Sequence, residues 1–184
     1  MKKKEKTEKN PITKASLDCS TNTTPLIFVM TTNTEGSNTD TVEVKSVSGD
    51  RLEELLLGPD AAQHSVVLWD VANSRSDVDA LERLVHARCP RSSAFLASSA
   101  SPSAFAQDDL PAARSSIAAR ASRAATATPP QHAWFLFVCR RGQARSPAAA
   151  TLFAHAGPVP ANVTVGYVRG GWEALYNVWP QLQD

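Results

Sequence analysis

The chain has 184 residues, a formal charge of +1 and a hydrophobic fraction of 42%. That length fits one domain with a tail, and the balanced charge excludes a general electrostatic pull towards nucleic acid or an anionic membrane. The distribution of charge says more: all seven lysines lie at or before Lys45, and all twelve arginines lie at or after Arg51.

Residues 1–43 are rich in Lys, Thr, Asn, Ser and Glu and carry no sustained hydrophobic period, which predicts a disordered tail ahead of a domain over 44–184. The exception, Pro25–Met30, is far too short to span a bilayer and reads as an extra edge strand, a sticky segment or a run without a role. Glu5 and Glu8 interrupt the Lys-rich start, and the apolar run comes too late for a secretory leader. Three cysteines, Cys19, Cys89 and Cys139, form no CxxC or Cys/His ligand spacing, so no metal is expected. A sparse, odd count suits a reducing compartment, and the expected location is the cytoplasm.

The domain opens with a helical pattern. Asp50 is a candidate N-cap with Glu53 three residues on, Leu52, Leu55 and Leu56 share a face, and Gly58-Pro59 is a stop. Val66–Val71 is a short apolar run interrupted by Asp70. A helix-like run from Val78 leads to Cys89, which reads as structural ahead of the alternative, a resolving thiol. Residues 91–131 are biased in composition: Ser92–Ser103 is Ser/Ala-rich, Pro111–Arg123 fits a helix, and Thr126–Gln131 with Pro129-Pro130 reads as a linker.

Phe135–Val138 is apolar on both faces and predicts a strand covered by helices. It runs into Cys139-Arg140-Arg141-Gly142-Gln143-Ala144-Arg145, a C-x5-R loop. Ser146 follows as a candidate N-cap, Pro147 as the first helical residue, and Ala148–Ala156 as a strong helix former stopped by Gly157-Pro158. Strand, loop, helix is the order that curls backbone amides around an anion at a helix N-terminus. Such surroundings also lower a thiol pKa. Arg145 can clamp two oxygens of a tetrahedral anion, and Gly142 lets the backbone bend where a Cβ would obstruct it. Val163–Val168 reads as a further strand, and Trp172 and Tyr176 at i, i+4 spacing as a packing pair.

This loop resembles the active-site loop of the rhodanese superfamily. The resemblance extends to Arg169-Gly170-Gly171-Trp172-Glu173-Ala174-Leu175-Tyr176, similar to that superfamily's Gly-Gly-aromatic-x-Ala turn, and to Asp50–Glu53 and Val66–Val71 as its opening helix and first core strand. It implies a three-layer α/β fold with a mostly parallel sheet of about five strands flanked by helices, and one short strand with one or two helices from residues 91–131. Five residues between Cys139 and Arg145 match the branch of cell-cycle dual-specificity phosphatases and eukaryotic arsenate or antimonate reductases, whose loop is one residue longer than that of sulfurtransferases.

The resemblance implies that Cys139 is the nucleophile and Arg145 its catalytic partner, with Arg140, Arg141, Gly142, Gln143 and Ala144 completing the anion-binding loop. Phosphate, arsenate or thiosulfate-like anions are the implied substrates. No cofactor is implied beyond an external thiol such as glutathione for arsenate reduction. Asp70 stands between orienting the loop and being a solvated strand-end carboxylate. Glu173 stands between proton donor and helix-start carboxylate, and Arg169 between pocket rim and solvent. His132 and His155 read as surface residues. Two further readings remain open. Arg140-Arg141-Gly142 looks like a sulfurtransferase loop, in which Cys139 would carry a persulfide. Val138 in place of the phosphatase branch's histidine, together with the missing Gly-His-Ile-x-Gly-Ala segment after the first strand, points to a non-catalytic module that binds a protein partner or an anion.

Overall fold

A computed structural model describes residues 42–90 and 92–183. The readings made for the tail, including Pro25–Met30 and Cys19, fall outside the described residues.

The elements run β1 Lys45–Val47, α1 Gly49–Leu57, β2 His64–Asp70, α2 Arg75–Arg88 and β3 Phe95–Ser98. Next come α3 Pro102–Ala104, a π-turn Phe105–Asp109 and α4 Leu110–Thr126, then β4 His132–Val138, α5 Arg145–His155, β5 Val163–Val168 and α6 Gly171–Val178. The five strands pair in the order β1-β5-β4-β2-β3, all parallel. The expected three-layer α/β class and five-stranded sheet are therefore present. Residues 91–131 supply the one short strand, β3, and the helices α3 and α4.

Period-two alternation divides the core between the faces. Val66, Leu68, Leu136 and Val138 pack with Leu52, Leu55 and Leu56 of α1, Val78, Leu81 and Val85 of α2, and Trp172 and Leu175 of α6. Val67, Trp69, Phe135 and Phe137 pack on the other face with Ala113 and Ile117 of α4 and Ala149, Ala150 and Phe153 of α5. The ring of Phe153 stacks on Phe135 at 4.3 Å between centroids, 8° from parallel. This contact seats α5 on β4, and a fully buried phenylalanine is worth about 3–5 kcal/mol against alanine. The last residue of β4 is followed directly by Cys139, and α5 begins six residues later. The aromatic stack thus fixes both ends of the loop.

Two caps differ from the sequence expectation. The N-cap of α1 is Ser48, whose hydroxyl accepts from the Arg51 amide at 3.2 Å; Asp50 lies within the first turn. Glu53 accepts the indole N–H of Trp179 at 3.1 Å instead of closing a capping box. In α5 the N-cap is Ala144, with no side-chain cap, so Ser146 and Pro147 sit second and third in the helix. Pro147 still wastes no donor, because the first turn's amides have no intrahelical partner. His132, expected at the surface, is half-buried at the start of β4, with its Nε2 2.8 Å from Thr164 Oγ1.

Candidate active site

The sheet order sets the location. From β2 the chain moves outward to β3, then returns to the other side of β2 as β4 and continues to β5. The direction reverses between β2 and β4, and such switch points form a crevice at the carboxyl ends of the strands. Asp70 and Val138, the last residues of β2 and β4, stand side by side there. The Val71 amide donates to Val138 O at 2.9 Å.

Cys139 follows at once and is 4% exposed. Its Sγ lies 3.3 Å from the hydroxyl of Ser146, itself fully buried. Burial pushes the Cys139 thiol up. Hydrogen bonds from the Ser146 hydroxyl and from the backbone amides of Ser146, Gly142 and Arg141 outweigh that and hold it below its ordinary 9.0. The amide of Ser146 is one of the orphan donors of the first turn of α5. A bond to the charged form favours that form, so these donors stabilise the thiolate.

The loop's shape depends on two glycines. Gly142 has φ +62°, and a Cβ there would stand 2.6 Å from the amides of both Gly170 and Gly171. Gly171 has φ +59°, and its Cβ would meet the carbonyls of Cys139 and Arg140. Only glycine combines positive φ with so close an approach of two backbones. Through this contact the first amides of α6 reach the loop: Trp172 N–H donates to Cys139 O at 3.0 Å and Glu173 N–H to Arg140 O at 3.1 Å.

Asp70 is fully buried. Its carboxylate accepts from the Trp172 indole at 3.0 Å, the Ser74 amide at 2.7 Å, the Ala72 amide at 3.2 Å and the Ser98 hydroxyl at 2.9 Å. Of the two readings of Asp70, the solvated carboxylate is excluded. Asp70 ties the end of β2 to α6, and so indirectly to the loop, while not touching the thiol. Glu173 is half-exposed, and its Oε1 lies 3.5 Å from Arg140 Nε and 3.4 Å from Arg141 Nε. Arg169 is exposed, and its backbone amide donates to Val47 O at 2.8 Å.

An open cleft of about 560 Å³ ends on Cys139, lined by Ala72, Ser74, Arg140, Arg141, Gln143, Ala144 and Arg145. Among the described residues no carboxylate lines it, nor does any group of His, Cys, Asp and Glu form a metal site. The structure brings together the whole predicted loop and leaves Asp70 and Glu173 behind it. His155 is exposed at the far end of α5. Three participants were not read from the sequence. Ala72 and Ser74 were signalled only by following the strand that ends in Asp70. Ser146 was taken for a cap, although its place directly after Arg145 puts it on the first turn facing the loop.

Fold and site together define a parallel α/β domain with a cysteine at its switch point, ringed by backbone amides and arginines. No family model matches the chain, and no match was found among curated proteins. Two solved structures are similar to it. One is a Saccharomyces cerevisiae protein described as a homologue of single-domain rhodanese and of the Cdc25 phosphatase catalytic domain, with 16% identity over 75% of this chain and 83% of that one, at a TM-score of 0.49. The other is an As-Sb reductase from Leishmania major, with 18% identity over 76% and 81% of the respective chains, at a TM-score of 0.43. No helix among the described residues is long and apolar enough to cross a membrane.

Proposed function

We propose that this chain is a thiol-dependent enzyme acting on tetrahedral oxyanions, of the phosphatase or arsenate reductase type. The observation that carries the reading is the Cys139 sulfur at the floor of a cationic cleft, with one hydroxyl and three backbone amides aimed at it. A thiolate so held attacks phosphorus or arsenic. A sulfur–phosphorus or sulfur–arsenic bond forms as a bond to the departing oxygen breaks. The loop amides bind the other oxygens, and Arg145 stabilises their charge as it develops.

Because no carboxylate among the described residues lines the cleft, the departing oxygen takes its proton from water or leaves as a good leaving group. Arsenate, or an activated phosphoester, suits that arrangement better than an unactivated ester. With arsenate, two external thiols such as glutathione supply the two electrons, giving arsenite, a disulfide and water.

The test is a panel on purified protein: para-nitrophenyl phosphate, arsenate with a glutathione–glutaredoxin couple, and thiosulfate with cyanide. Phosphate or arsenate turnover is expected, abolished by Cys139→Ser. Arg145→Lys should weaken it at least about tenfold, because a point charge cannot replace the planar fork. Two exposed arginines on the rim, Arg140 and Arg141, favour sulfur transfer from thiosulfate as the second reading. Thiosulfate:cyanide transfer without the other two activities would establish it. Silence of folded, reduced protein in all three assays would leave a binding module.

A further inference from the structure

A second cleft lies at the opposite end of the sheet. Its volume is about 390 Å³, and its lining comes from the amino ends of three strands and from α4: Ser65 in β2, Ser93 and Ala94 ahead of β3, Gln131 ahead of β4, and Arg120, Arg123 and Ala124 on the helix. The seven residues of β4 separate it from Cys139, about 20 Å at the usual rise per residue.

Arg120 is the informative residue. Its guanidinium is half-buried, and no carboxylate pairs with it among the described residues. Nη1 donates to Ser93 O at 2.7 Å, and the group lies over the Phe95 ring, 5.0 Å from its centroid. Nε is shielded from solvent and has no hydrogen-bond partner. Burial, and then the neighbouring charge of Arg123, push the Arg120 pKa down. Arginine stays protonated all the same. A partly desolvated cation without a counter-ion, beside a second cation, raises the free energy of the fold, and proteins normally pair such groups. Here the lining brings a second guanidinium, two serines and a glutamine, with no acidic residue among the described residues.

We infer that this cleft is a second oxyanion site, which takes the phosphate group of a small molecule, or free phosphate, between Arg120 and Arg123. The planar fork of Arg120 is already held on one side by Ser93 O and Phe95. The anion needs to order only Arg123, which is exposed, and bidentate guanidinium–phosphate bonds are among the stronger polar contacts. Gln131 does not move to meet it, because its amide nitrogen already donates to Ala62 O at 2.6 Å.

Two-dimensional amide NMR of the full chain during titration with inorganic phosphate separates this site from the Cys139 loop. Two groups of resonances should move, one over 139–146 and one at Ser65, Ala94, Ala124 and Gln131. The second group should persist in a Cys139→Ser, Arg145→Ala double variant. Arg120→Gln should weaken binding at the second group about tenfold or more, by loss of charge-assisted bonds, and leave the first unchanged. If Arg120→Gln does not fold, the exposed Arg123→Gln carries the test, with several-fold weaker binding at the second group expected. Repeating the titration with phenyl phosphate distinguishes the sources, since tighter binding would identify an ester that also covers Phe95 and equal binding would identify free phosphate. A second group that stays still at tens of millimolar phosphate, or that moves equally in the wild type and in the folded arginine variant, overturns the inference.

Discussion

Ser146→Ala isolates what one hydroxyl does for the Cys139 thiol. The side chain is fully buried, and its hydroxyl meets the Cys139 sulfur at 3.3 Å. A thiolate can only accept, so in the reactive form Ser146 is the donor. Hydrogen bonds to charged groups are worth about 1.5–3 kcal/mol, so their loss lowers the thiolate fraction about tenfold to a hundredfold at a pH well below the thiol's own pKa. The thiolate that remains is more basic and attacks faster; with a Brønsted coefficient of about 0.4–0.5 this recovers nearly half of the logarithm. The expected net effect is a fall of about fourfold to fifteenfold in the rate of reaction with 4,4′-dithiodipyridine in mildly acidic buffer. The deficit should close as pH rises and reverse once both thiols are ionised, because the variant's thiolate is then the better nucleophile. Alanine removes one oxygen and keeps the helix, so the melting temperature should hardly move. An unchanged rate in acid, from protein with an unchanged melting temperature, would refute the assignment of Ser146 as a donor to the sulfur.

Three further outcomes follow from the same geometry. Gly142→Ala forces a Cβ into positive φ and against two amides; it should cost at least about 1–3 kcal/mol in urea denaturation, and a wild-type midpoint would contradict the interlock. Asp70→Ala leaves the Trp172 indole and the Ser74 amide without their acceptor, for a loss of at least about 2 kcal/mol, whereas retention of full stability would mean that water replaces the carboxylate. Because the Cys139 thiol is held below its ordinary 9.0, the stability it contributes is complete above that value and is lost as pH falls through the lowered one. The stability advantage of wild type over Cys139→Ser should therefore grow as pH is raised between the two, and a constant difference would contradict the depressed pKa.

What was legible in the sequence is the part where local rules act without competition. Phe135–Val138 is apolar at every position, so a strand covered on both faces was the available reading, and the cysteine, glycine and arginine after it carry the loop's chemistry in their identities. The ends of elements were less legible because capping is decided by backbone course. Ser48 and Asp50 are equally good capping residues two positions apart, and only the path of β1 into α1 selects Ser48. At α5 the loop closes so tightly that the helix starts at Arg145, which carries Ser146 past the capping position and onto the thiol. β3 has four residues, a half-exposed pattern and serines around it, so it carries no period of its own and forms because β2 offers an edge. Burial of Asp70 was unreadable for a related reason. Its partners come from Ala72 and Ser74 nearby, but also from Ser98 and from Trp172 more than a hundred positions on.

The bonds between the loop and α6 solve two problems at once. A helix begins with amides that have no partner, and a loop whose amides converge on a thiolate must turn its carbonyls away from that charge. Here each need is the other's remedy: Trp172 and Glu173 donate to the carbonyls of Cys139 and Arg140, and carbonyls drawn outward leave the following amides facing in. The polarity of the pocket is thus written into the register between two segments thirty-three residues apart in the chain. A residue inserted between Cys139 and Arg140 would carry these carbonyls out of phase with the amides of α6, whereas one added or removed after Gly142 would leave both bonds in place. The first half of the loop is thus locked to the Gly170-Gly171 turn, and the second half is where its length can vary.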